Sequence, residues 1–355
     1  NAIKKGNMST FNCPEEVFLS EKLIELHPWA EMVRLARSGG EANSIAIRIA
    51  RAASGKDKVA FCGYHGWHDW YISSNLSNDK SLDGHLLPGL EPNGVPRALA
   101  DTAIPFRYNN IEELKEIISN NELGVICMEV ARSEGNNKFL QDVRRLADKN
   151  NIVLIFDEIS SGFRQSFGGL HKLCDVEPDI AIFAKAIGNG YPISAVIGRK
   201  NVMDSAQSSF MSSTFWTDRV GPVAALKTLE VMESIKSWEI ITEIGKNIQK
   251  RWEELAKTHD LEVAVNGLPA ISSFSINSSS FLEYKTFITQ EMLKKGYLAT
   301  NLIFTCIDHD DEIIDQYFDE LDKLFSIIKD CENEVKSINE LLDGPVCHSG
   351  FKRLN

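Results

Sequence analysis

The chain has 355 residues, 43% hydrophobic and 25% charged, with a formal net charge of −12. That length suits two domains, or one large α/β domain with a smaller one attached. The acidic balance argues against general nucleic-acid or anionic-membrane binding, and no apolar run is long enough to span a bilayer.

Seven scattered cysteines, odd in number and without a CxxC pair, argue against a disulfide framework or a zinc site. The start, "NAIKKGNMSTF", has no apolar leader core, so the cytoplasm is the expected location. It also lacks an initiator Met, and the chain is expected to begin inside a longer product.

Short apolar runs alternate with amphipathic segments up to about Gly198. "EMVRLA" reads as a strand. "GEANSIAIRIARAASG" puts Ala42, Ile45, Ala46, Ile49, Ala50 and Ala53 on one helical face, with Gly55 as C-cap. "KVAFCG", "GVICMEV", "IVLIFD", "DIAIFAK" and "SAVIG" read as buried strands. "IEELKEIIS" and "FLQDVRRLADKN" read as the helices between them. The alternation predicts a mainly parallel sheet with helices on both faces. "VGPVAALKTLEVMESI" is a long helix, after which the character shifts. "LPAISSFSI" and "LATNLIFTCI" read as strands, "TFITQEMLKKG" and "DEIIDQYFDELDKLFSIIKD" as helices. The expected division is a large domain over 1–229 and a smaller C-terminal α/β domain over 230–355.

Four features carry chemistry. In "RSGGEAN" a strand ends, two glycines follow and a helix begins, so backbone N–H groups can hold an anion. Taken alone, it is as readily a tight strand–helix turn. In "VLIFDEISSGF", Asp157 stands at the carboxyl edge of a central strand, where open α/β sheets bind ligands. By itself it reads more readily as a helix cap or surface ion-pair partner. Lys185 ends "DIAIFAK"; a desolvated lysine there becomes a nucleophilic amine suited to Schiff-base formation. Its ordinary alternative is an ammonium reaching solvent. "FCGYHGWHDW" crowds Tyr64, His65, Trp67, His68 and Trp70 into one loop, able to stack on a flat ring or merely to pack. No third ligand has metal-site spacing, so no metal is expected. An anion cradle, a carboxylate, an amine and an aromatic ring at strand ends of one sheet form the set that pyridoxal 5'-phosphate (PLP) needs.

On "MVRLARSGGEAN", "GYHG", "LIFDEISSGFR", "PDIAIFAKAIGNGYPISAVIG" and the "T…GP" stretch after it, the sequence resembles the class III, fold-type I PLP-dependent aminotransferases, most closely the glutamate-1-semialdehyde aminomutase branch. The resemblance runs from about Asn1 to about Asp330. It implies Lys185 as the Schiff-base lysine, Asp157 as the partner of the pyridine nitrogen and Tyr64 beside the ring, these three being the catalytic candidates. Ser38, Gly39 and Gly40 match the phosphate loop. Ile159 would pack on the opposite ring face, and His65 and Glu129 would lie at the cofactor. Thr217, with Thr214 as runner-up, would reach the phosphate of a neighbouring subunit, which implies a homodimer with shared active sites.

Three departures fall on the substrate side more than on the cofactor. Gly40 replaces the usual Thr or Ser, "STFWTDRVGP" the usual "TLSGNP", and "EVARSEG" the usual "EP". An N-terminal segment of the family is also missing from this sequence. The expected activity is amino transfer between a small amino donor and a carbonyl acceptor. The alternatives are the intramolecular aminomutase (an isomerase) and a non-catalytic PLP-fold binding protein. A nucleotide-binding Rossmann enzyme is the weaker case, since "SGGEAN" is not GxGxxG. No arginine can be assigned from spacing to a substrate carboxylate.

Overall fold

The computed structural model describes residues 2–131 and 137–350. The later part of "EVARSEG" lies outside the described residues. Two compact units divide after Lys236. The expected cut at 229/230 falls inside the helix Val220–Ile235, which runs unbroken until Lys236 turns left-handed, with φ 52°.

The first unit is built on seven strands: β1 (Met32–Ala36), β2 (Lys58–Cys62), β3 (Ala103–Pro105), β4 (Leu123–Glu129), β5 (Val153–Asp157), β6 (Ile180–Phe183) and β7 (Ser194–Gly198). Their order is β1-β7-β6-β5-β4-β2-β3. All neighbours from β3 through β6 pair parallel, and β7 runs against both β6 and β1. The sheet is mainly parallel, as its unbroken apolar strands predict. Alternate residues feed opposite faces: Ile180, Ile182 and Val196 join the core beneath the helix Gly39–Ser54, while Ala181, Phe183, Ala195 and Ile197 join Leu19, Leu23, Ala225 and Leu229. Helices therefore cover both faces.

In the helix Gly39–Ser54, Ala42, Ile45, Ala46, Ile49 and Ala50 are buried and Gly55 caps the end at φ 67°. Ala53, expected on the same face, is exposed in the last turn.

The second unit holds the antiparallel sheet β10-β9-β8, from β8 (Val263–Leu268), β9 (Ile271–Ile276) and β10 (Leu302–Phe304). Trp252, Phe274, Tyr284 and Phe325 centre its core. "LATNLIFTCI" contributes only the three-residue β10, because polar and turn residues flank it. Among the described residues no helix is long and apolar enough to cross a membrane.

Under the sheet of the first unit lies a buried titratable pair. His27 stacks on His171 at 5.6 Å between ring centroids. The Nδ1–H of His27 donates to the Leu23 carbonyl at 2.9 Å, and its Nε2 is buried without a partner among the described residues. Burial, helped by His171 and Lys172, lowers the His27 pKa to about 4 against the weaker pull of Leu23 and Glu158. An unfolded histidine titrates near 6.5. The folded state thus binds fewer protons between those values, and stability present above pH 6.5 is lost as pH falls toward 4. The loss is about 3 kcal/mol. We expect the melting temperature of His27→Phe to fall less than that of the wild type between pH 6.5 and 4; parallel profiles would remove His27 as the cause.

Candidate active site

Strand ends deliver the site. Glu129, Asp157 and Ile182 lie in register across β4, β5 and β6. Lys185 follows three residues after Ile182. A cavity of about 410 Å³ opens there, lined by Gly39, Gly40, Tyr64, Asp157, Ile159 and Lys185 together with Arg37, Asn43, Gly66, Ser160, Ala184 and Tyr191 among others.

The first turn of the helix Gly39–Ser54 supplies the anion cradle. Ser38 is its N-cap, its Oγ accepting from the Glu41 amide at 3.4 Å while Glu41 reaches back to the amides of Ser38 and Arg37. The Gly39 and Gly40 amides precede the first intrahelical partners. Small size is needed there. A Cβ on Gly39 would sit 3.1 Å from Ile159, and one on Gly40 would sit 3.1 Å from the His68 ring. Gly66 has φ 98°, and a Cβ on it would approach the Gly40 Cα to 3.0 Å. Two glycines thus let the aromatic loop close onto the helix start.

Asp157 is 3% exposed. Its Oδ2 accepts from Asn43 Nδ2 at 2.9 Å and from His65 Nδ1 at 2.8 Å, and its Oδ1 accepts from the Ile159 amide at 3.0 Å. These donors hold the carboxylate in one orientation. The loop does not bring His65 to the cavity wall. It lies buried behind Asp157, stacked on Trp70 at 6.1 Å. Burial opposes its imidazolium, but the Cys127 sulfur and the Asp157 carboxylate outweigh burial and raise its pKa well above the ordinary histidine value.

Lys185 opens a 3-10 turn with φ 50°, a left-handed conformation uncommon for lysine. Rather than being sealed in the strand end, its side chain is exposed to the cavity, where Nζ donates to Ser160 Oγ at 2.6 Å. Desolvation lowers its pKa, Asp157 and Glu129 resist, and Arg164 adds to the lowering. The amine is easier to deprotonate than a free lysine.

Tyr64 lies on the cavity wall, 40% exposed. Its amide donates to Glu129 Oε2 at 3.2 Å, so Glu129 braces the Gly63–Tyr64 backbone rather than lining the cavity. Ser38 likewise caps the cradle from outside the lining. Thr217 is not on its own chain's cavity; its hydroxyl donates to the Ser9 carbonyl at 2.7 Å. Thr214 opens the short turn that Thr217 closes.

Asn43 and Ser160 are the polar residues that sequence reasoning passed over. Asn43 stands one helical turn after Gly39, a spacing that aims it back at the strand ends. Ser160 sits in the quoted "DEISSGF". Arg37 lines the cavity, but its guanidinium donates to the carbonyls of Ala36, Trp216 and Asp218. Among the described residues no group of three His, Cys, Asp or Glu is placed to hold a metal ion.

Residues 2–308 match the family described as "Aminotransferase class-III". A 3-aminobutyryl-CoA aminotransferase of Cloacimonas acidaminovorans is 34% identical over 77% of this chain and 64% of its own length. A glutamate-1-semialdehyde 2,1-aminomutase of Methanocaldococcus jannaschii is 29% identical over 89% of this chain and 80% of its own length. The chain therefore spans under two thirds of the first relative. The FumI protein of Sphingopyxis sp. MTA144, solved with PLP, superposes with a TM-score of 0.83 at 20% identity, covering 96% of this chain and 81% of that one. That likeness shows the fold. With the match over residues 2–308, the chain belongs to the class-III aminotransferase family.

Proposed function

We propose that the protein is a PLP-dependent aminotransferase that moves an amino group between a small amino donor and a carbonyl acceptor. The observation that carries this reading is one cavity lined by an amine, a buried carboxylate and a glycine turn at a helix start. The donor set fits PLP. The first-turn amides suit a phosphate, Asp157 suits a protonated ring nitrogen, and the cavity size suits one small cofactor with its substrate.

When bound, PLP supplies an aldehyde and a ring that withdraws electrons from the substrate's Cα. Asp157, held by Asn43 and His65, would keep a proton on the ring nitrogen. Gly39 and Gly40 would hold the phosphate with their amides, Ser38 capping that turn, while Tyr64 and Ile159 would confine the ring. Lys185 is the amine that would hold the aldehyde at rest. Its Nζ, when free, would be the base able to take the Cα proton and to return it to the carbon on the far side of the imine nitrogen.

The aminomutase reading is kept because relatives 29% identical carry that name. A donor and acceptor screen followed by the cofactor spectrum separates the readings. A transaminase needs both partners, whereas a mutase converts glutamate-1-semialdehyde alone. A cofactor band that no donor alters would sink both and leave a binding protein. A cytoplasmic location belongs to this reading, supported by seven cysteines of which none forms a disulfide.

The reading includes a homodimer with shared sites. Phe11, Phe210 and Phe215 are 82%, 87% and 62% exposed, and the segments bearing Phe11 and Phe215 are tied together by the Thr217–Ser9 bond and by the Arg219 amide on the Asn7 carbonyl. Exposed aromatic surface of this kind suits a subunit contact. In the dimer Thr217 would donate to the partner's phosphate. A hydrogen bond to a charged group contributes about 1.5–3 kcal/mol. Thr217→Val is therefore expected to weaken PLP retention about 10- to 150-fold and to make it fall on dilution. Thr217→Ser should keep it and Thr214→Val should do less. Retention that ignores Thr217→Val at every dilution would exclude the contact.

A further inference from the structure

Resting on the PLP reading, we infer that His68 is a phosphate-binding residue: its imidazole stands where a side chain at position 40 would be and donates from Nε2 to the cofactor's phosphate.

Gly40 lines the cavity in the first turn of its helix. A Cβ built on it would fall 3.1 Å from His68 Cδ2 and 3.2 Å from His68 Nε2. The ring therefore stands against Gly40, which lines the cavity, while His68 itself borders the adjoining surface pocket with Ser44 and Trp67. It is held there by design of the surrounding contacts. Ser44, one turn beyond Gly40 on the same helical face, meets His68 Nδ1 at 2.7 Å. Trp67 packs against the ring at 4.7 Å between centroids. Gly66, at φ 98°, lets the loop come close enough for this. Nδ1 is occupied by Ser44, which leaves Nε2 as the ring nitrogen on the Gly40 side.

Charge points the same way. A phosphate at Gly39–Gly40 would lie near the Glu41 carboxylate, which caps the amides of Ser38 and Arg37. The guanidinium on the cavity wall, Arg37, gives its two Nη groups to three backbone carbonyls and faces the Asp218 carboxylate at 3.8 Å. The amides offer partial charge only. An N–H donor at His68 Nε2 adds a further hydrogen bond to those of the amides.

The test compares PLP with pyridoxal, which lacks the phosphate, by equilibrium dialysis. His68→Ala is expected to lower PLP affinity about 10- to 100-fold and leave pyridoxal affinity unchanged. Gly40→Ser/His68→Ala, which returns a hydroxyl to the vacated space, is expected to recover most of that loss. His68→Gln, which keeps an N–H donor, should lose less than His68→Ala. Melting temperatures and the pyridoxal measurement report on the fold. Equal losses for PLP and pyridoxal would make His68 a packing residue and overturn the inference, as would an unchanged PLP affinity. Wild-type protein that binds no PLP at all would instead overturn the cofactor reading beneath it.

Discussion

Lys185→Ala protein is expected to catalyse no measurable amino transfer while still binding PLP noncovalently. The lysine is the primary amine on the cavity wall, displayed by a left-handed turn directly after β6. Alanine removes both the amine that ties down the aldehyde and the base that moves the Cα proton. Nothing nearby replaces it. The hydroxyl that receives its proton, Ser160 Oγ, is far less basic. The cradle, Asp157 and Tyr64 stay in place, so noncovalent affinity persists. The fold should survive as well, because the side chain is exposed to the cavity and alanine forfeits only the bond to Ser160. The checks are a turnover assay, the absorbance of bound cofactor and its removal by dialysis. Turnover near wild type would end the assignment of Lys185. A protein that neither binds PLP nor melts cooperatively would mean the residue is structural.

Much of this site could be read from the chain because its parts sit at strand ends, and buried parallel strands announce themselves as apolar runs. "VLIFD" and "IAIFAK" place Asp157 and Lys185 with no tertiary knowledge. The three-residue β3 was too short to give a pattern. β8 alternates half-buried with exposed residues around Gly267, and its strand character comes from the hairpin with β9. The helix Ser237–Thr258 was missed although its signal was present: Ile241, Gly245, Ile248, Trp252 and Ala256 recur on one buried face. What sequence could not show is which polar groups turn toward one another across the fold. Asn43 and His65 meet Asp157 from 114 and 92 residues away. His65, expected at the cofactor with the other aromatic residues crowded after β2, lies behind Asp157 against Trp70. Glu129 was placed at the cofactor, and the bond it makes is to the backbone that carries Tyr64.

Asp157→Asn is expected to lower the amino-transfer rate by roughly 100-fold or more while the protein keeps its fold and its cofactor. An amide cannot hold a proton on a ring nitrogen as a carboxylate does, so the ring draws less charge from the Cα carbanion as it forms. The substitution is nearly isosteric, and the local network can partly absorb it. An Asn carbonyl oxygen at the Oδ2 position still accepts from Asn43 and His65. The new NH2 group then faces the Ile159 amide, which loses its acceptor. A buried unpaired donor costs about 1–3 kcal/mol, so a lower melting temperature accompanies the kinetic loss without explaining it. His65 gives an independent readout. With the carboxylate gone, the Cys127 sulfur alone opposes burial and the His65 pKa should fall, visible as an earlier loss of the imidazolium NMR signal on raising pH. A variant with full activity would make Asp157 structural, and one with lost activity and an unmoved His65 would show that the two do not act as a pair. The combination expected is slow turnover, retained PLP and a lowered His65 pKa. It would place the carboxylate's role in the chemistry and that of His65 in orienting it.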